Sequence, residues 1–153
     1  MYIYNNIENI HFKNTFFYKP TINKLSGYKL FYKIAYNIDM FVLNTLLINI
    51  PISNSQIIKE NNNYKCIISL DNNFLLKLKE YETQILNNMN HVIKKQYVVF
   101  SQKYLNNNSI ILNYNTIPEN ITLYIKISGI WESDTQYGLI TKIHNNYAST
   151  VKF

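Results

Sequence analysis

The fold of this chain is most strongly constrained by residues 121–143, where two alternating segments meet across a short polar loop. In the first segment, aliphatic side chains fall on one parity (Ile121, Leu123, Ile125, Ile127) and polar or aromatic ones on the other (Thr122, Tyr124, Lys126, Ser128). A period of two predicts a strand with one buried face. The loop at residues 132–136 is polar and acidic, and the second alternating segment follows at once. The stretch therefore predicts a β-hairpin.

The predicted register of this hairpin pairs Trp131 with Tyr137 and places Lys126 opposite Lys142. Like charges directly opposite each other destabilise a sheet. The lysine pair is explained if this face binds a polyanion, with both lysines on phosphates and Tyr124 under a base. The alternative is that the lysines line a solvated face. The same register sets four further pairs: Tyr124 with His144, Ile125 with Ile143, Ile127 with Thr141, and Gly129 with Leu139.

Two glycines and one tryptophan interrupt the hairpin pattern. Gly129 and Gly138 lie inside strand segments, where glycine indicates a bulge, a bend or the close approach of another backbone. Trp131, the only tryptophan, falls on the core parity at the strand end. We interpret it as a structural plug at the mouth of a barrel. Base stacking is the alternative.

A second alternating run covers residues 28–36, with lysines on either side of an aromatic ring. Lys29, Phe31 and Lys33 share one parity, and the core parity is aromatic and aliphatic. Stacking of a base on Phe31, with the two lysines on the flanking phosphates, would use this arrangement. The alternative is that Phe31 packs under a loop.

The remaining elements follow from apolar runs. Residues 41–50 predict a buried strand that Pro51 ends, residues 52–63 a polar loop, and residues 64–70 a third strand. Asp71 can cap a helix with one apolar face, formed by Phe74, Leu78, Tyr81, Ile85, Met89 and Val92. Lys94 and Lys95 complement its dipole. A helix between the third and fourth strands is the order of an OB-like five-stranded barrel, so we predict a mainly β fold with one helix.

The hairpin also carries a resemblance. The run from Lys126 to Glu132 (KISGIWE), followed by Tyr137, Gly138 and Leu139, resembles a signature of single-stranded-DNA-binding proteins of large eukaryotic DNA viruses. The helix before it is similar to the one that precedes that signature, so the resemblance covers residues 74–143. Leu139 and Ile140 stand where that family tends to have an aromatic residue or a threonine–tyrosine pair. The resemblance implies an OB-like barrel that binds single strands without reading sequence.

Composition bounds the size of the fold and the class of partner. The 153 residues predict one domain, with an N-terminal arm at 1–26, a barrel core at 27–145 and a tail at 146–153. All 15 basic residues are lysine, and the net charge is +6. Lysine acts as a point charge and lacks the arginine fork for guanine edges, so non-specific phosphate contact is favoured over base readout. The richness in Asn, Ile, Lys and Tyr also fits an AT-rich, viral or parasitic genome.

Residues for catalysis or metal binding are sparse. His11, His91 and His144 are far apart in sequence, Cys66 is the only cysteine, and the three glycines form no phosphate-binding loop. We therefore predict no catalytic residues, no metal and no cofactor. A metal-dependent nuclease that uses Glu119, Glu132 and Asp134 is the enzymatic alternative.

The leading prediction is a non-sequence-specific single-stranded DNA-binding protein of viral replication or recombination, with RNA as a second ligand and homo-oligomers as a further association. The absence of a signal-like or membrane-spanning segment predicts an intracellular protein, in the host nucleus or a cytoplasmic virus factory, without a membrane partner. The rival is a viral structural or protein-interaction module, whose aromatic N-terminal residues contact other chains. The rival predicts assembly without DNA and no preference for single strands.

Overall fold

The computed structural model describes residues 4–22, 29–102 and 107–145, which form a mainly β structure with one helix, as predicted. The helix is α1 (Asn72–Ile93), and short 3₁₀ turns cover Ile7–Asn9 and Phe12–Asn14. The strands are β1 (Tyr4–Asn5), β2 (Thr15–Phe17), β3 (Thr21–Ile22), β4 (Leu30–Ile38), β5 (Phe41–Leu43), β6 (Leu46–Ile50), β7 (Ile52–Glu60), β8 (Asn63–Leu70), β9 (Gln96–Val98), β10 (Ser109–Tyr114), β11 (Leu123–Glu132) and β12 (Gln136–Asn145).

Strand β11 is the centre of a curled, half-barrel sheet of nine strands. One edge of β11 pairs with β12, and the other is shared by β6 along its first half and β4 along its second. Strands β1 and β9 add in parallel to β6 and β12, while β2, β3 and β5 add to β4. Strands β10, β8 and β7 form a separate antiparallel sheet. This topology differs from the predicted OB-like five-stranded barrel, which is not confirmed.

The N-terminal residues belong to the sheet where they are described. Strand β1 pairs with β6, and β2 and β3 pair with β4, so residues 4–22 of the predicted arm extend the half-barrel. The other residues of that arm, and the predicted tail at 146–153, lie outside the described residues.

Helix α1 begins as predicted. The Asp71 carboxylate accepts a hydrogen bond from the Phe74 N–H at 2.7 Å, which satisfies an N–H that has no partner within the helix. At the other end Lys94 takes the left-handed conformation and its N–H donates to the Asn90 carbonyl at 2.8 Å. The predicted apolar face is correct except at its end, where Val92 is exposed and Ile93 is buried.

The core is formed by α1, the inner face of the curled sheet, and buried residues of β8 and β10. The Tyr137 hydroxyl donates to the Leu86 carbonyl of α1 at 2.7 Å, which fixes the helix against β12. Buried Glu82 accepts from the N–H groups of Phe100 (2.6 Å) and Ser101 (3.0 Å), and from the Ser101 hydroxyl. Burial raises the pKa of Glu82 although these three donors act in the opposite direction. This carboxylate therefore anchors the turn that follows β9.

Strand β7 corrects the predicted loop at residues 52–63. Its nine residues pair with β8, and the hairpin turns at Asn61, which adopts a positive φ of 54°. Seven of the nine residues are exposed, so neither face of the strand has to be made of apolar residues. The hydrophobic alternation that marks a half-buried strand is therefore missing from its sequence.

The hairpin of β11 and β12 has the predicted register in its first half. Tyr124, Ile125, Lys126 and Ile127 lie opposite His144, Ile143, Lys142 and Thr141. A β-bulge then inserts one residue between Ile127 and Gly129, so the remaining predicted pairs are wrong by one position. Gly129 lies opposite Ile140, Trp131 opposite Gly138, and Glu132 opposite Tyr137.

Both hairpin glycines mark close approaches, as predicted. A Cβ on Gly129 would overlap the Tyr32 backbone carbonyl of β4. A Cβ on Gly138 would lie 3.0 Å from the Val98 carbonyl of β9 and 3.1 Å from the Trp131 indole. Glycine at these two positions lets β4 and β9 approach the central hairpin and leaves room above it for aromatic rings.

Candidate nucleic-acid interface

The candidate site is the face of the curled sheet opposite the core, which we call the outer face. Along β11 the residues Ile125, Ile127 and Ile130 are buried in the core, so their alternate neighbours project outwards. Pairing extends this face to the neighbouring strands. Its members are Phe31, Lys33, Tyr124, Lys126, Gly129, Trp131, Gly138, Ile140, Lys142 and His144.

The bulge corrects the predicted role of Trp131. Because one residue is inserted before Gly129, Ile130 and Glu132 take the buried parity, and Trp131 is half-buried on the outer face. Trp131 is therefore not a plug at a barrel mouth. Its indole lies over Gly138, and its partner on β4 is Phe31.

Phe31 and Trp131 form what we call the aromatic platform. The Phe31 ring lies over Gly129, with its Cζ atom 3.1 Å from the position that a Cβ there would take. The Trp131 indole covers Gly138 in the same way, so both rings lie against glycine backbone in neighbouring strands. This contact shows the Phe31 ring against the sheet, and it does not test the alternative that a loop covers the ring.

Lys126 and Lys142 are directly opposite each other on the outer face, as predicted. Lys142 is exposed and Lys126 is half-buried, and the residue on the other side of Lys126 is Leu47 of β6. The cross-strand row across this part of the sheet is therefore Leu47, Lys126 and Lys142.

Tyr124 is engaged with a neighbour at the end of the same face. Its ring stacks on His144 with centroids 5.3 Å apart and planes inclined by 5°. One face of the Tyr124 ring is thus covered, so a base could stack only on the other.

The electrostatics of His144 report the positive character of this region. Burial lowers its pKa from 6.5, and the positive charges of Lys142 and Lys126 lower it further. Between pH 6.5 and the lower folded pKa the unfolded chain binds more protons, so acidification through this window reduces the stability of the fold. A bound anion between the lysines would act in the opposite direction.

Lys33 and Lys29 have partners at the β4 side of the outer face. The Lys33 ammonium lies 5.9 Å from the centroid of the Tyr18 ring, a cation–π distance. Lys29 forms an exposed ion pair with Asp134 in the hairpin loop, and its N–H donates to the Glu132 carbonyl at 2.8 Å. Lys33 thus lies on the outer face, whereas Lys29 is paired with Asp134 at the edge of that face.

Glu132, part of the nuclease alternative, is buried beneath the hairpin loop. It accepts a hydrogen bond from the Tyr32 hydroxyl at 2.7 Å and forms an ion pair with Lys95. The Lys95 ammonium also donates to the Ser133 carbonyl. Burial, followed by the Glu132 carboxylate, raises the pKa of Tyr32 to about 12. Lys95 therefore pairs with this buried carboxylate, and its role in complementing the helix dipole stays a prediction.

Metal ligands do not cluster in the described ranges. Within residues 4–22, 29–102 and 107–145, no three His, Cys, Asp or Glu side chains come close enough to hold a metal ion. Asp134 of the nuclease alternative is paired with Lys29 instead. The same ranges contain no helix with the length and apolar character needed to cross a lipid bilayer.

Sequence reasoning missed two aromatic residues next to this site. Phe16 of β2 lies opposite Ala35, and the Tyr18 N–H donates to the Lys33 carbonyl, so both share the parity of Lys33 and Phe31. The available signal was short: in the run Thr15 to Tyr18 the outward residues are aromatic at a spacing of two.

Comparison with known proteins adds no relative: no protein-family model, curated protein or solved structure matches this chain.

Proposed function

We propose that this chain is a non-sequence-specific single-stranded DNA-binding protein that holds the strand on its outer face. The observation that carries the proposal is the Lys126 and Lys142 pair on the same sheet face as the aromatic platform of Phe31 and Trp131. Phosphates would neutralise the lysines, and unstacked bases would lie on the exposed parts of the rings.

The chemistry of the face favours single strands without sequence readout. Stacking tolerates every base because each has a π-face, and lysine contributes charge without a fork directed at a base edge. A duplex offers the same phosphates but hides its base faces. The platform therefore adds affinity only for an unpaired strand.

The proposed surface resembles an OB fold in how it would bind a nucleic acid, although the number of strands differs. OB folds bind nucleic acids on one face of a curved, partly open barrel, and here the half-barrel would present β4, β11 and β12 to the strand. The resemblance of the hairpin to viral single-stranded-DNA-binding proteins supports a place in viral replication or recombination, in the host nucleus or a cytoplasmic virus factory. We propose no catalytic step and no cofactor. Binding of RNA and self-association are proposed as secondary properties.

Fluorescence anisotropy of a labelled oligothymidine, beside a duplex of equal length, tests this proposal. We expect tighter binding to the single strand and a negative slope of log affinity against log salt, of about 0.7 for each phosphate contacted. Equal affinity for both nucleic acids would contradict the preference for single strands, and no affinity for either would leave the chain as a structural or protein-interaction module.

A further inference from the structure

We infer that the hollow between Phe16 and Tyr18 is a second base-binding site, which takes one unstacked base of the bound strand. This inference rests on the proposed function, and it names a site that the hairpin signature does not include. The hollow has a volume of about 200 Å³ and is lined by Phe16, Phe17, Tyr18, Ala35 and Asn37.

The two aromatic rings are available for stacking. Phe16 is 52% exposed and Tyr18 is 48% exposed, unlike Phe17 between them, which packs against the core. Phe16 pairs with Ala35, and Tyr18 continues the ladder to Lys33, so both side chains project from the same side of the sheet. They stand on the outer face beside the aromatic platform.

The distance expected between Phe16 and Tyr18 along the chain matches the gap that a planar ring needs between two neighbours. Residues two apart on one face of a strand are about 6.6–6.8 Å apart. A flat ring in contact on both sides needs about 3.5 Å to each neighbour, or about 7 Å in total. Ala35 lies opposite Phe16 and contributes only a methyl group, so it takes up little of the hollow.

The surroundings of the hollow supply the polar contacts that a nucleotide needs. The Tyr18 hydroxyl donates to the Asn44 side-chain oxygen at 3.2 Å, so the ring is held before any ligand binds. The Lys33 ammonium beside Tyr18 is placed to meet the phosphate next to an inserted base. The exposed Asn37 carboxamide offers a donor and an acceptor to a base edge. An apolar slot with charge and amide at its rim suits a nucleobase better than an aliphatic side chain.

Position along β4 connects this hollow to the platform. Phe31, Lys33 and Ala35 follow one another on the outer face of β4, so Ala35, which lies opposite Phe16, is about 13 Å from Phe31 along the strand. Lys33 lies between the two aromatic sites. One nucleic-acid strand running along β4 would thus meet aromatic, cationic and aromatic contacts in turn.

The test compares Phe16→Ala with the native protein on oligothymidine and on an abasic strand of equal length, by anisotropy. We expect about a 5- to 100-fold loss of affinity for oligothymidine and no change for the abasic strand. Phe16→Trp should restore binding, because an indole also stacks. Val42→Ala removes a side chain that is 56% exposed on neighbouring β5 but outside the hollow, and should leave both affinities unchanged.

Failure of this inference is distinguishable from failure of the proposed function. If Phe16→Ala binds oligothymidine normally while Lys126→Ala/Lys142→Ala binds weakly, the hollow is not a base site and the proposed function stands. If the native protein does not bind single strands, both fall. If Phe16→Ala only abolishes self-association in sedimentation equilibrium, the hollow is an interface between copies and the inference is overturned.

Discussion

Replacing Lys95 by methionine is expected to lower the free energy of unfolding by about 3 kcal/mol, because it leaves the buried Glu132 carboxylate without its counter-charge. Glu132 is 7% exposed, and its carboxylate accepts hydrogen bonds from the Lys95 ammonium and the Tyr32 hydroxyl. Methionine keeps the length and apolar stem of lysine, so the loss reports the missing ammonium and its hydrogen bonds rather than packing. Urea unfolding followed by circular dichroism measures it.

A matched control lies in the same loop. Lys29 and Asp134 also form an ion pair, but their side chains are 65% and 70% exposed. Lys29→Met should therefore cost only about 0–1 kcal/mol. The double variant Lys95→Met/Glu132→Gln should lose less than Lys95→Met, because no unpaired charge stays buried. Equal losses for Lys95→Met and Lys29→Met would contradict the structural role of the buried pair.

The double variant Lys126→Ala/Lys142→Ala is expected to bind oligothymidine about 100-fold more weakly at ~50 mM salt. A slope of about 0.7 per phosphate corresponds to about tenfold in affinity for each lysine under these conditions. The slope of log affinity against log salt should become shallower by about 1.4. Fluorescence anisotropy at several salt concentrations measures both quantities.

The control for this variant removes the same total charge elsewhere. Lys59 is exposed on β7 and Lys79 is partly exposed on α1, and neither belongs to the outer face. Lys59→Ala/Lys79→Ala should change the salt slope little. If the two double variants weaken binding equally, net charge rather than the outer face accounts for the affinity.

Local patterns predicted those elements that bury one face. Helix α1 was found with its Asp71 cap because apolar residues recur at helical spacing behind a capping side chain. The register in the first half of the β11 and β12 hairpin could be predicted because the aliphatic positions of both strands fall on one face. In both cases a single buried face fixes the period of the sequence.

Features without such a period were missed. The bulge before Gly129 inserts one residue, so parity counted from Ile125 assigned Trp131 to the core instead of the outer face. Strand β7 is exposed on both faces and resembles a loop in composition. The parallel additions of β1 and β9, and the separate sheet of β7, β8 and β10, depend on tertiary pairing that no local pattern contains.

The candidate site was predicted in part for the same reasons. Phe31, Lys33, Lys126 and Lys142 were singled out by alternation, and the structure brings them to one face. Lys29 and Tyr124 acquire partners in Asp134 and His144, which the sequence places in other strands or loops. Phe16 lies in a strand of three residues and Tyr18 follows its last residue, so the segment is too short to establish a period.

The emission of Trp131 tests the central claim most directly, because it is the only tryptophan and lies on the proposed binding face. Oligothymidine is added to the native protein with excitation selective for indole, and anisotropy of the labelled strand is followed in parallel. We predict saturable quenching of Trp131 over the same concentration range as binding. Full binding by anisotropy with unchanged Trp131 emission would contradict the assignment of the outer face as the site.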